Sequence, residues 1–574
     1  MTNSTNPYPP NPNQPSQANK VLVIGLDGAT FDLIKPWVAE GLLPTLGRLL
    51  EEGSHVELRS MVPPMTGPAW TSFATGVNPA KHRIYDWIGR QAESYRFLPL
   101  TALDNRAPTL YQRLSQRGRR VCVFNVPMTY PPVAVNGVMI SGLPAPSTRR
   151  TITYPPTLFQ EIIDQIGDYI LYPDPGQAYS DAGIDAFLQR LYRSTELRIK
   201  TLDYLRRRED WDFAMVVLNG TDTVCHAMWK HMDVHHPQHD PTQAAKYGNA
   251  IRDYYRYVDG LLQPLVESLP DDTTMILMSD HGFGPLHKFI HVNNWLLREG
   301  FMQVKKTPRA LLKQALFRAG FSPMNVYNLL MKFGLGALKR EVVRGQGQDL
   351  LKTLFFSFED IDWQQTQAYA QGNVGQIYIN LAGREPLGIV QSGAQYDTVR
   401  NQIIERLKEL RDPQDGAPVV DSIYRREEIY HGPYLEQAAD IIFLPKNLEY
   451  FGFGEYEFGS HQIIEAVKRG ISGTHRMNGV FLAYGKAIAA KAAMQPSTLL
   501  DLAPTILHLM GEAIPEQMDG RVLNEILLNP ASPLRYEPQS TPESADTPLA
   551  ADALLSEADQ QLLSERLRSL GYVG

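Results

Sequence analysis

Cysteine is almost missing from this chain: 574 residues hold two, Cys122 and Cys225. That excludes a disulfide framework and fits a reducing compartment. Long apolar runs are missing as well, and nothing approaches the roughly 18 residues of a membrane-spanning helix. The first twenty residues, MTNSTNPYPPNPNQPSQANK, have neither a positive start nor an apolar core, so they do not read as a secretory leader. Their Pro, Asn and Ser content predicts a disordered tail over 1–19. An excess of basic charge is also lacking. The net charge is -7, which argues against binding to a nucleic-acid polymer. These absences together predict a soluble, cytoplasmic protein.

What is present is a large apolar fraction, 43% of the residues, enough for a sizeable core. Short β-branched runs recur along the chain: KVLVIGLDG from Lys20, RRVCVFNVP at 119–127, WDFAMVVLNG at 211–220, TTMILMSDHG at 273–282, ADIIFLP at 439–445 and NGVFLAYG at 478–485. Each has the look of a buried parallel strand. Helical patterns such as LPTLGRLLEEG and IDAFLQRLYRSTELRIKTLDYLRRR lie between them. The alternation predicts an α/β fold, a mostly parallel sheet flanked by helices.

The rhythm breaks at 305–350, where helical periodicity comes without strand signal. Lys305, Lys306, Arg309, Lys313, Arg318, Lys332, Lys339, Arg340 and Arg344 face one acid, Glu341, through position 344. We read a helical insertion that caps one edge of the core, dividing it into 20–304 and 351–529. A solvated surface is the plain reading of its charge. Steering of an anionic substrate is a second, and contact with an anionic lipid surface, helped by Leu311, Leu312, Leu316, Leu329 and Leu330, is a third. Residues 530–550 read as a linker. Residues 551–574 read as a C-terminal helix opened by Ser556, with Leu562, Leu563, Leu567 and Leu570 forming an apolar stripe.

Three of the predicted strands end in acids: VIGLDG delivers Asp27, VVLNGTD delivers Asp222, and ILMSDH delivers Asp280 with His281. In open α/β sheets ligands bind beyond the carboxyl ends of strands. Three carboxylates gathered there repel one another, and cations resolve the repulsion. His226 follows Asp222 by four residues, on the same face if a helix starts at Thr221. His475 sits in SGTHRMNGVF, just before a strand. Mixed Asp and His ligands favour zinc, with manganese or iron as alternatives. Taken singly these are weak signals, since a lone Asp after a strand is usually a turn former.

The stretch PPMTGPAWTSFATGVNPAKH, from Pro63, poses a sharper question. A helix can begin only near Pro68, which leaves Thr66 at or just before its N-terminus. Thr66 is then either an N-cap or a nucleophile aimed at an anion held by the helix end.

In order and in combination, VIGLDGATFDLI, PAWTSFATGVNPAKH, SDHGFGP, DWQQTQAYAQG, IYINLAGREPLGIV, GTHRMNG and LDLAPTILHLMG resemble the alkaline phosphatase superfamily. The resemblance is to its type I phosphodiesterase and nucleotide pyrophosphatase branch, within a predicted phosphohydrolase/phosphomutase group, and covers nearly everything from Lys20 on. It implies an alkaline-phosphatase-like fold and two divalent metal ions, most simply Zn2+, with Mn2+ as the alternative. One ion would be held by Asp222, His226 and His475, the other by Asp27, Thr66, Asp280 and His281. Counting back from Thr75-Gly76 makes Thr66 the nucleophile, giving a phosphothreonine that water then hydrolyses. The implied partner is a small phosphorylated substrate, a phosphodiester or nucleotide pyrophosphate.

One departure stands out. The family's Asn three residues after the nucleophile is Ala69 here, so the residue that steadies the phosphoryl oxygens is open. Asn125, Lys81 and Lys288 are the substrate-binding candidates, each also readable as structural. A metal-dependent phosphomutase and a non-catalytic phospho-ligand binder are the competing functions.

Overall fold

The computed structural model describes residues 20–91, 94–173, 183–323, 325–326, 354–454, 458–529, 533–538 and 555–569. Nine strands form the main sheet: β1 (Lys20–Leu26), β2 (Ser54–Arg59), β3 (Val121–Val126), β4 (Gly137–Ser141), β5 (Thr153–Tyr154), β6 (Phe213–Leu218), β7 (Thr273–Met278), β8 (Asn478–Tyr484) and β9 (Ser497–Thr498). Their spatial order is β9-β2-β8-β7-β1-β6-β3-β4-β5. The five central strands, β7-β1-β6-β3-β4, run parallel. The architecture is α/β, a mostly parallel sheet with helices on both faces.

The strand sequences explain the layering, because side chains alternate across a sheet. Leu22, Ile24, Ala214, Val216 and Leu218 pack into one core with the helices Pro44–Glu52, Ile184–Arg208, Gly220–Met232 and Ala250–Glu267. Val21, Val23, Met215 and Val217 pack into a second with Ala69, Trp70 and Phe73 and with the helix Leu502–Leu509. Strands apolar on both faces must be covered twice.

Two strand expectations need correcting. The 478–485 run does join the main sheet, but antiparallel to β7 and β2. The 439–445 run does not join it. Ile441–Pro445 pairs antiparallel with Val420–Arg425 and with Gln376–Ile379, in a separate four-stranded sheet. An apolar run records burial on both faces, not strand direction or partner.

Of the basic segment, 305–323 and 325–326 fall within the described residues. Lys332, Lys339, Arg340, Glu341, Arg344, Leu329 and Leu330 lie outside them. Pro308–Arg318 is a helix capped by Thr307. Its inner face is Ala310, Lys313 and Phe317. Phe317 meets Phe356 and Phe458. Lys313 is buried and pairs with Asp360 at 3.0 Å, so it is not part of an exposed charge field. Within 530–550, Tyr536–Glu537 pairs with Ile514–Pro515, so that stretch is not all loop. At the C-terminus Glu557–Ser569 is helical, with Leu563 and Leu567 buried and Leu562 exposed; Leu570 lies outside the described residues.

Candidate active site

Asp27, Asp222 and Asp280 follow β1, β6 and β7, three neighbours at the centre of the sheet. Their common position is therefore a consequence of strand order. Gly28 turns the chain with φ +67°, and its N–H donates to Asp280 Oδ1 at 3.3 Å. Asp222 lies in the first turn of the helix Gly220–Met232, and His226 is one turn on. Thr221 Oγ1 donates to Asp27 O at 2.6 Å, tying the two strand ends together. Gly282–Pro285 pairs antiparallel with Gly473–Arg476, setting His475 opposite Phe283. This long-range pairing brings the latest ligand candidate in the chain to the others.

Thr66 is the first residue of a fully buried ten-residue helix, Thr66–Thr75, whose N-cap position is Met65. Thr66 Oγ1 lies 3.2 Å from His281 Nε2. The helix is pinned from behind by His82, which donates to Ser72 Oγ at 2.8 Å while its Nδ1 accepts from Ile84 N. Burial drives the His82 pKa down to about 3, so this motif histidine is a neutral strut. Trp70 packs its ring on Gly25 of β1 and donates from Nε1 to Asp27 Oδ2 at 3.2 Å.

The donor atoms converge in two groups. Asp222, His226 and His475 form one, and Asp27, Asp222 and His281 form the other. Asp222 thus stands between both, a sharing that the residue pattern did not anticipate. In the first group His226 Nε2 is 3.1 Å from His475 Nε2, and these atoms lie 3.3 and 3.4 Å from Asp222 Oδ1. Around His281 Nε2 stand Thr66 Oγ1 at 3.2 Å, Asp280 Oδ2 at 3.3 Å and Asp27 Oδ1 at 3.6 Å.

These separations fit metal ligation. Two donors about 2.05 Å from one ion at the tetrahedral angle lie about 3.3 Å apart. The imidazoles are also set for it. His226 Nδ1 donates to Gly473 O at 2.8 Å, His475 Nδ1 to Pro64 O at 2.8 Å and His281 Nδ1 to Gly282 O at 3.0 Å. Each carbonyl holds the proton on Nδ1 and leaves an Nε2 lone pair pointing into the cluster. Lone pairs on atoms 3.1 Å apart repel unless a cation lies between them. Asp27 Oδ1 and Asp280 Oδ2 are buried without a hydrogen-bond partner among the described residues, a costly state that a bound cation removes.

Electrostatics agree. Burial, then the Asp280 and Asp222 charges, push Asp27 well above the usual carboxylate range. Burial and then Asp222 push Asp280 up to about 8. Burial pushes Asp222 the same way, and the His226 and His475 rings beside it pull that carboxyl below its ordinary value only in their protonated form. Burial holds His281 and His475 below the ordinary imidazole range, in the neutral form a metal requires.

The three substrate-binding candidates are placed otherwise. Lys81 pairs with Asp519, and Lys288 pairs with Asp412. Neither ammonium is left over for an anion. Asn125, in β3, adopts φ +58° and donates to Val217 O at 2.7 Å, with Oδ1 buried and lacking a partner among the described residues. Residue patterns missed Arg198. It is buried on the long helix Ile184–Arg208, donates to Asn219 Oδ1 and to Leu171 O, and among the described residues meets no carboxylate in an ion pair. Asn219 is the N-cap of the helix that carries Asp222. The available signal was polar spacing: Ser194, Thr195, Arg198 and Thr201 recur on the inner side of that helix.

By its family match the chain is a phosphoester hydrolase, and its layered α/β sheet ends in this donor cluster. The chain belongs to the type I phosphodiesterase / nucleotide pyrophosphatase family, whose model matches residues 21–462. Among solved structures it is similar to phosphonoacetate hydrolase from Sinorhizobium meliloti 1021, solved with phosphonoacetate. The identity is 15%, the coverage 87% of this chain and 96% of that one, and the TM-score 0.50. Human ectonucleotide pyrophosphatase / phosphodiesterase 5 is 13% identical over 88% of this chain and 97% of that chain, with a TM-score of 0.46. A mutant of alkaline phosphatase PafA is 14% identical over 90% and 100%, with a TM-score of 0.47. No curated protein matches the sequence. Among the described residues, no helix is long and apolar enough to cross a membrane.

Proposed function

We propose that this protein is a two-metal phosphohydrolase that cleaves a phosphodiester or nucleotide pyrophosphate through a phosphothreonine at Thr66. The observation that carries the reading is the 3.2 Å approach of Thr66 Oγ1 to His281 Nε2, which puts the hydroxyl among donors suited to a metal. Asp27, Thr66, Asp280 and His281 would hold one ion and Asp222, His226 and His475 the other, with Zn2+ favoured by the mixed donor set and Mn2+ the alternative. Such ions lower the pKa of a bound hydroxyl and neutralise charge developing on phosphoryl oxygens.

The chain's own part is positioning. Thr66 Oγ bonds to phosphorus as the bond to the leaving oxygen breaks, and the proton that Thr66 gives up ends on that leaving oxygen. Water oxygen then bonds to phosphorus, the Oγ–P bond breaks, and a proton of that water returns to Thr66 Oγ. The helix N-terminus at Thr66 adds positive partial charge where the phosphoryl group arrives. Trp70 and the Gly28 N–H keep Asp27 and Asp280 in orientation. A small substrate suits this enclosed site, and two free, buried cysteines suit the cytoplasm.

The test is covalent trapping. Enzyme loaded with Zn2+ or Mn2+ is mixed with a chromogenic diester, quenched in acid and digested. Phosphate on the Thr66 peptide is expected, and none in Thr66→Ala. Turnover by Thr66→Ala at the wild-type rate would refute the assignment.

A further inference from the structure

We infer that the outward face of the helix Pro308–Arg318 docks this protein on an anionic lipid bilayer. The helix is turned against the usual rule. Ala310, Lys313 and Phe317 face inward, and Lys313 spends its charge on Asp360. The leucines face out: Leu311 is 47% exposed, Leu312 62% and Leu316 42%. Phe321, just past the helix, and Leu354, next to the Phe355 that stacks on Phe321, are also exposed, so the helix and these neighbours hold five of the ten exposed large hydrophobics among the described residues. A solvated helix would place leucines at the inward positions and the lysine outside. Scattered exposed apolar residues need no explanation, but a concentration does.

The charge around this face selects the occupant. Lys306, Arg309 and Arg318 are exposed on or beside the helix, and Lys305 at its approach donates to Glu359 O. No acidic residue occurs from Gly300 to Arg340, in a chain whose net charge is -7. A second copy of the same face would bring cation against cation across a two-fold axis. An anionic bilayer offers both complements at once, headgroup phosphates for the cations and acyl chains for the leucines.

The experiment is sedimentation of the full chain with vesicles of phosphatidylcholine, with and without phosphatidylglycerol. Binding is expected only with the anionic lipid, and it should weaken as salt rises. Each cation near such a surface contributes about fivefold in affinity, so Lys306→Gln with Arg318→Gln should weaken binding by about 30-fold. Leu311→Ser, Leu312→Ser and Leu316→Ser together should weaken it at least as much. These positions are exposed, and an unchanged melting temperature of each variant certifies the fold. No binding to anionic vesicles overturns the proposal. So does binding that survives the leucine substitutions, or self-association in sedimentation velocity that those substitutions abolish.

Discussion

Metal binding should expel a proton from Asp280, and the amount is calculable. In the metal-free protein burial and the Asp222 charge push this carboxyl up to about 8, whereas an unfolded Asp titrates at about 3.9. At pH 7 the folded carboxyl then carries about 0.9 proton, at pH 8 about 0.5 and at pH 9 about 0.1. An ion coordinates only the ionised form, so it must displace that proton. Apparent affinity is therefore reduced about 11-fold at pH 7 and hardly at all at pH 9, a tenfold gain across the window. Asp27 is raised by the same causes and makes the gain larger.

The sign for stability is opposite in the metal-free form. A raised folded pKa contributes stability below the unfolded pKa, and that contribution is lost as pH climbs through the folded value. From pH 7 to 9 the loss is about 1.4 kcal/mol for Asp280 alone. His281 and His475 are held low and are neutral throughout this window, so they do not blur it. The assay is calorimetric titration of chelated protein with Mn2+ at pH 7, 8 and 9, in pairs of buffers that differ in ionisation enthalpy. Asp280→Asn, which keeps an oxygen for the Gly28 N–H, should release about one proton fewer at pH 7. Metal affinity that stays constant from pH 7 to 9, or equal proton release in the variant, would refute the reasoning.

Other consequences follow from single contacts. His475→Ala should empty the Asp222–His226 group while leaving ligands around His281, so elemental analysis should find about one ion per chain against two in wild type. Thr66→Ser should keep measurable turnover, because the hydroxyl is retained, and steady-state kinetics against Thr66→Ala separate hydroxyl from methyl. In Gly25→Ala the new Cβ would lie 2.5 Å from the Trp70 ring. Overpacking of this kind costs about 1–3 kcal/mol and should shift Trp70 off Asp27, lowering melting temperature and kcat together. Arg198→Met removes the donors to Asn219 and Leu171 and should cost about 1.5–3 kcal/mol, read by denaturant unfolding.

Much of the candidate site was legible because its ligand candidates come at places the backbone announces. A β-branched run that ends in Asp, repeated three times, gives Asp27, Asp222 and Asp280 a common address once those runs form one parallel sheet. What made β1, β6 and β7 adjacent is long-range pairing, and that left no local mark. The same limit explains the Ile441–Pro445 error: a strand buried on both faces reads alike in the main sheet and in a smaller antiparallel one. Lys313 fails for a related reason. Composition counts its charge as exposed, and only the position of Asp360 buries it.

The hydroxyl of Thr66 shows how far local signals reach. Pro68 sets where the helix starts, so the sequence alone puts Thr66 at an N-terminus, and an N-cap and a nucleophile look identical there. The distinction lies in what approaches from elsewhere. Met65 takes the cap position, and His281, over two hundred residues away in the chain, comes within 3.2 Å of Oγ1. His281 can do so because Gly282 O holds its Nδ1 proton and turns Nε2 toward the threonine. His475, whose Nδ1 donates to Pro64 O, fastens the loop just before Thr66 to the other ligand group. The nucleophile candidate is thus fixed from both sides by imidazoles that also face the cluster. A substitution that frees either ring should therefore disturb the threonine and the metal donors in one step.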